Sequence, residues 1–273
     1  EVYNPGEYRN YIHIGKMDYL YDKVQMYDTL KNIVQGRGLP KNISGIREDL
    51  KDIEHHMLHF LDNHDEQRLA SPQFAGDAKK GKPLMVVSAT ISSSPTMIYF
   101  GQEVGEPGAL DAGFGKNSRT SIFDYVGVPH HQRWMNDGKF DGGQLKPEEK
   151  ELRDFYKRLL NFTLKSSALM GEFEQIHDAN LNEGSNYDFG LYSYVRWSDD
   201  EKLVIVTNFN QNTPVQCEVM IPADVVKKMN LKDGKYKLKD QLYGKSSTEL
   251  LIENGVGKFK LKIGVNESFI YKI

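Results

Sequence analysis

The chain has 273 residues, with 35 Lys plus Arg, 38 Asp plus Glu and a net charge of -3. That is long enough for one large or two ordinary domains, and the near-balanced charge, with no Lys/Arg block, argues against a nucleic-acid partner. No apolar run approaches the ~18 residues of a membrane span, and the single cysteine, Cys217, excludes an internal disulfide without settling the compartment.

Residues 2–10 read as a loop leaving a strand end, punctuated by Pro5-Gly6. A short aromatic strand is predicted over 17–21. Apolar residues at helical spacing predict a helix over 26–34, with Gly36 as its stop. A strand comes next over 57–65, then a helix over 77–89 with apolar residues crowded after Pro83, and a strand over 97–100. Residues 103–143 form a long irregular stretch rich in Gly, Asp and aromatics. Loops of this length are usually functional or disordered, and after a barrel strand this one would overhang the active-site face. Pro147-Glu148-Glu149 opens a helix, with Pro in the first turn and acids at the positive dipole end. Its residues Leu152, Phe155, Leu159, Leu160 and Phe162 share one face.

Composition changes near Glu172. Beyond it lie short β-rich runs at 191–197, 203–208, 215–221, 236–242, 248–252, 258–263 and 268–273, with clear period-2 alternation from Lys258 to Ile263. Alternation of strand and helix before the change predicts parallel β/α architecture, and the runs after it predict an antiparallel sandwich. The expected division is a barrel portion over 1–170 and a β domain over 171–273. There is no internal repeat.

The chemistry concentrates where the 57–65 strand ends, in Phe60-Leu61-Asp62-Asn63-His64-Asp65. Carboxylate, amide and imidazole groups closing an apolar run are costly if dry and unpartnered, and the C-terminal ends of barrel strands are where active sites lie. Structural roles are open to the same residues: Asp62 and Asn63 satisfying loop backbone, Asp65 as the N-cap of a helix, Arg68 in a surface salt bridge. His55, His56 and His59 do not make a metal site, since adjacent histidines on a strand diverge and no second ligand cluster accompanies them. Tyr3, Tyr19, Tyr21, Tyr99, Phe114, Phe123, Tyr125 and Trp134 are flat surfaces suited to sugars, although most aromatics are core.

The Asp62–Asp65 segment resembles the Asp-Asn-His-Asp motif of the α-amylase family of retaining glycosidases. Ser94-Pro95-Thr96-Met97-Ile98-Tyr99-Phe100-Gly101-Gln102-Glu103 resembles the same family's eighth-strand signature, and Glu1-Val2-Tyr3-Asn4-Pro5 its fifth-strand motif. The resemblance covers roughly 1–170 by motif and the remainder by position. It implies the C-terminal part of a (β/α)8 barrel, from the end of strand five through helix eight, with a β-sandwich after it. It implies Glu1 as general acid/base and Asp65 as the carboxylate that holds sugar hydroxyls in the transition state. His64, Asn63, Arg68 and Trp134 are the expected substrate-binding residues, Arg68 being alternatively a partner of a catalytic carboxylate, with Gln102 and Glu103 bracing loops. An unaided Glu titrates near ~4.3, so an acid working near neutrality needs burial or nearby anions.

The sequence departs from the family in one respect: the nucleophilic Asp, with its preceding Arg, matches nothing between 1 and 273. The expectation is therefore a fragment whose partner is the N-terminal half of the same polypeptide, acting on an α-glucan or maltooligosaccharide. The chain opens in mid-motif, so localisation is unknown. No metal or cofactor is expected in this part, calcium being possible in the full-length enzyme.

Overall fold

The computed structural model describes residues 1–108, 119–120, 128–182, 186–244 and 246–273. Three short strands, β1 (Leu20–Tyr21), β2 (Met57–Phe60) and β3 (Thr96–Met97), form a parallel sheet in that order. Leu20 pairs with Met57, and His59 with Thr96. Parallel neighbours need crossovers. These are α2 (Asp28–Val34) with α3 (Asn42–Asp49), then α4 (Lys82–Thr90). The region begins with α1 (Tyr8–His13) and ends with α5 (Pro129–Met135) and α6 (Pro147–Thr163).

The expected elements occur in the expected order, with shorter strands. The 57–65 strand stops at Phe60 because side chains take over the next backbone bonds. Asp62 accepts from the Leu69 N–H (2.5 Å), and Asn63 from those of Asp65 and Glu66 (2.9 and 2.8 Å). The loop expected over 2–10 is instead a 3-10 turn, Pro5–Glu7, running into α1. Asn4 caps it by accepting from the Gly6 N–H, so Pro5 is a helix start rather than loop punctuation. The 26–34 helix is preceded by a π-helical turn, Lys23–Tyr27, and Gly36 ends it at φ 70°, a conformation glycine adopts without steric cost.

Among the described residues the second sheet has eight antiparallel strands: β4 (Glu172–Gln175), β5 (Leu191–Trp197), β6 (Lys202–Asn208), β7 (Val215–Ile221), β8 (Gly234–Asp240), β9 (Ser247–Glu253), β10 (Val256–Ile263) and β11 (Ser268–Lys272). Their order is β4-β5-β6-β11-β8-β9-β10-β7. The sheet curls over itself into two layers, so that Val195 and Val204 share one core with Cys217, Val219, Phe259 and Leu261. Helix α7 (His177–Asn182) closes the free edge of β7. The buried Asn180 side chain donates to the Met220 carbonyl (2.8 Å) and accepts from its N–H (2.7 Å), satisfying an edge that would otherwise pair elsewhere. A short helix, α8 (Ala223–Lys228), leads from β7 toward β8.

β10 alternates buried and exposed residues, whereas β5 is buried almost end to end. The cause is a second covered face. Tyr192, Tyr194, Leu203, Ile205 and Ile270 pack in one cluster with Leu84–Val87 of α4 and Leu152, Phe155 and Leu159 of α6. Tyr194 and Thr90 hydroxyls meet at 2.5 Å. Arg196, fully buried, donates to the carbonyls of Thr90, Leu169 and Gly171, and burial lowers its pKa to about 10. The core therefore crosses the expected boundary at 170/171. Among the described residues no helix is long and apolar enough to cross a membrane.

Candidate active site

β2 carries its chain into a turn at the C-terminal edge of the parallel sheet. Leu61, Asp62 and Asn63 are buried there, while His64 and Asp65 emerge. The Asn63 amide oxygen, accepting from two successive N–H groups, fixes the backbone under Asp65. His64 Nε2 lies 3.2 Å from Asp65 Oδ2, and Arg119 Nη2 donates to Asp65 Oδ1 at 3.2 Å. Glu1 joins them from the far end of the chain, and one ligating atom each of Glu1, His64 and Asp65 lies within 4.8 Å of the others. Two carboxylates and an imidazole thus converge from segments more than sixty residues apart. Such a trio can also chelate a cation.

Around this centre, burial pushes the hydroxyls of Tyr3 and Tyr21 up, and the Glu1 and Asp65 carboxylates add to the shift. Tyr21 lies against Phe60, ring centroids 5.0 Å apart. The neighbouring Glu66 turns away and ties the loop to α2. It accepts from the Tyr27 hydroxyl (3.2 Å) and pairs with Lys23 and Lys31 at 3.5 and 4.0 Å.

Beneath the carboxylates lies a buried ion pair. Arg68 Nη1 meets Asp62 Oδ2 at 3.2 Å and the Phe100 carbonyl at 2.7 Å, and its Nε donates to the Thr120 hydroxyl at 2.6 Å. The guanidinium lies over the rings of Tyr99 and Phe100, 4.6 and 4.9 Å from their centroids. Neither Arg68 nor Asp62 has exposed surface. Burial raises the Asp62 pKa from 3.8 to about 6, outweighing the opposing pull of Arg68.

Between about pH 4 and 6 the folded chain therefore holds a proton on Asp62 that the unfolded chain has released. This group's contribution to stability is full below pH 4 and declines as pH rises through 6, by about 3 kcal/mol at most. Urea unfolding of wild type and Asp62→Asn at pH 4 and pH 7 measures it. The wild type is expected to lose stability relative to the variant on going to pH 7, and a parallel pH response of the two would contradict it.

Glu1, His64 and Asp65 stand together as the sequence suggests. Asn63 instead turns inward, and its exposure of 3% leaves little for a substrate to touch. Arg68 is neither a surface salt bridge nor a sugar contact, because burial against Asp62 removes it from the open face. Trp134, on α5, is occupied by protein: His131 stacks on it at 5.7 Å and the Arg153 guanidinium lies 5.3 Å from its ring. It lines a groove with Gly142, Leu145 and Arg153 that shares no residue with the carboxylate cluster. Gln102 braces the end of β3 against α6 by donating to the Tyr156 hydroxyl at 3.1 Å. His59 is buried, its Nδ1 2.9 Å from the Ser88 carbonyl and its Nε2 3.5 Å from Asp22. Phe114, Phe123 and Tyr125 lie outside the described residues.

Sequence reading missed Arg119. The only signal for it was the expectation that the loop after β3 would overhang this face, and the antiparallel bridge between Gln67 and Arg119 places it there.

No protein-family model matches the chain, and no curated protein matches its sequence. Solved structures match its fold. An α-amylase from Geobacillus thermoleovorans, complexed with acarbose, is 19% identical with a TM-score of 0.65, the match covering 99% of this chain and 52% of that one. A maltogenic α-amylase, AmyB, from Thermotoga neapolitana is 15% identical with a TM-score of 0.64, over 96% of this chain and 52% of that one. A γ-cyclodextrin glucanotransferase from an alkalophilic Bacillus clarkii is 13% identical with a TM-score of 0.61, over 93% and 32%. The chain spans about half the length of the amylases it matches. Its fold is that of part of an α-amylase: a β/α-barrel portion and then an antiparallel β domain.

Proposed function

We propose that this chain is the C-terminal half of a retaining glycosidase of the α-amylase type, acting on α-linked glucans or maltooligosaccharides. The convergence of Glu1 with His64 and Asp65 carries the reading. Val2, next to Glu1, packs against the cluster that holds Leu20 of β1 and Met57 of β2, which keeps Glu1 beside the strand that carries His64 and Asp65. The amylase-like fold adds to it, as do the maltotriose and maltose bound in structures of the neighbour AmyP.

Retaining hydrolysis proceeds in two displacements. In the first, a carboxylate nucleophile from the N-terminal half attacks the anomeric carbon while Glu1 gives its proton to the departing glycosidic oxygen. In the second, Glu1 takes a proton from water as the water oxygen displaces the nucleophile. Asp65 accepts hydroxyl hydrogen bonds from the sugar, and these tighten as positive charge builds on the ring. His64, beside it, donates to the same sugar. If a sugar hydroxyl replaces water in the second step, the outcome is transfer, the reaction that the glucanotransferase fold neighbour makes a live alternative.

Incubating the intact protein with maltooligosaccharides and tracking products by NMR tests the proposal. Shorter chains released first as the α-anomer are expected. Elongated or cyclic products would reassign the enzyme to transfer. Binding without any cleavage or transfer would make it a carbohydrate-binding relative and sink the enzymatic reading.

A further inference from the structure

We infer that Arg119 is a positioning residue for the Asp65 carboxylate, delivered to it by a buried anchor. This deepens the functional reading above and rests on it.

A carboxylate on an exposed loop rotates freely about its last torsion, which has broad preferences. Asp65 is held at both oxygens instead, by His64 on Oδ2 and Arg119 on Oδ1. A carboxylate offers about four lone-pair positions, so two donors fix its plane and leave capacity for sugar hydroxyls. Placement matters because catalytic hydrogen bonds lose their value with displacements of about 1 Å.

The arginine is not a loosely tethered surface group. Its own backbone bridges to Gln67, two residues beyond Asp65. The next residue, Thr120, is fully buried: its hydroxyl accepts from Arg68 Nε at 2.6 Å and its carbonyl accepts from the Tyr99 hydroxyl at 3.1 Å. Arg68 is in turn fixed by Asp62 and the Phe100 carbonyl. The buried Asp62–Arg68 pair therefore links the loops after β2 and β3, and its effect reaches the substrate face through Arg119. Arg119 and Asp65 keep 18% and 33% of their side chains exposed, so solvent still screens the pair and its stability contribution is small; its consequence lies in geometry.

The test uses the intact protein with maltooligosaccharides. Arg119→Ala is expected to lower kcat by roughly 10–100-fold with KM changed less than about threefold, the pattern of an interaction realised in the transition state. Arg119→Lys should fall between, added guanidinium should recover part of the Arg119→Ala loss, and Thr120→Val should give a smaller loss of the same kind. Wild-type kcat in Arg119→Ala, or a raised KM with kcat unchanged, would overturn the assignment. If the wild type does not turn over these substrates, the functional reading fails separately. The side-chain carboxyl 13C resonance of Asp65 then decides the pair: a shifted resonance in Arg119→Ala supports the contact, and an unchanged one refutes it.

Discussion

In the intact enzyme, Glu1→Gln is expected to slow cleavage of unactivated α-glucosides by about 10²–10⁴-fold, the usual contribution of general acid-base catalysis. The amide preserves shape and polarity but neither donates a proton to the glycosidic oxygen nor recovers one from water. The defect should depend on the leaving group. An aryl glucoside whose phenolate departs unprotonated needs no acid in the first displacement, so Glu1→Gln should be partly spared there and should accumulate the covalent intermediate. Asp65→Asn should behave differently, because it weakens hydroxyl contacts that strengthen in the transition state itself, and the loss should be similar for both kinds of substrate. Steady-state kinetics on maltooligosaccharides and aryl glucosides separate the two. Equal defects of Glu1→Gln on good and poor leaving groups would place the acid elsewhere.

The difference between Glu1 and Arg119 shows what was legible in the sequence. Glu1, His64 and Asp65 sit in motifs whose order along the chain suggests their convergence. Arg119 is recognisable only once Gln67 and Thr120 are seen to clamp its loop onto the site. Strand and helix order were also legible, since hydrophobic periodicity reports which side of an element is covered. Lengths were not. Asp62 and Asn63 end β2 by replacing ladder bonds with side-chain bonds, and no periodicity reports such a substitution. The position of Arg68 has a related cause. A lone arginine after a polar motif is open to a carboxylate, a sugar or a surface salt bridge, and only its placement opposite Asp62 and under two rings makes burial tolerable. Likewise, the unbroken burial of β5 reflects its contact with α4 and α6, a property of the assembled core rather than of the strand.

The 273-residue chain by itself is expected to leave α-glucans intact. Its cluster supplies two carboxylates, and the proposed chemistry needs a third to form the covalent intermediate; losses among groups that act as a unit are severe and non-additive. The sheet points the same way. Among the described residues, β1 and β3 each pair only with β2, so both outer edges present unpaired backbone. Exposed apolar side chains lie close by in the chain: Tyr11, Ile14, Met17 and Tyr19 before and beside β1, and Leu164 and Met170 after α6. Closing a barrel is what removes such edges. Co-expression with the N-terminal half should therefore yield a complex, slow amide exchange in residues 20–21 and 96–97, and bring activity with it. The β domain is not expected to behave as a bystander, because Tyr192, Tyr194 and Ile270 belong to the same core as α4 and α6. Exchange protection should be deepest in β5, β6 and β11 with or without the partner, and a cut at 170 should expose that face. A monomeric 273-residue chain that protects β1 and β3 fully and turns over maltooligosaccharides would refute the half-barrel account.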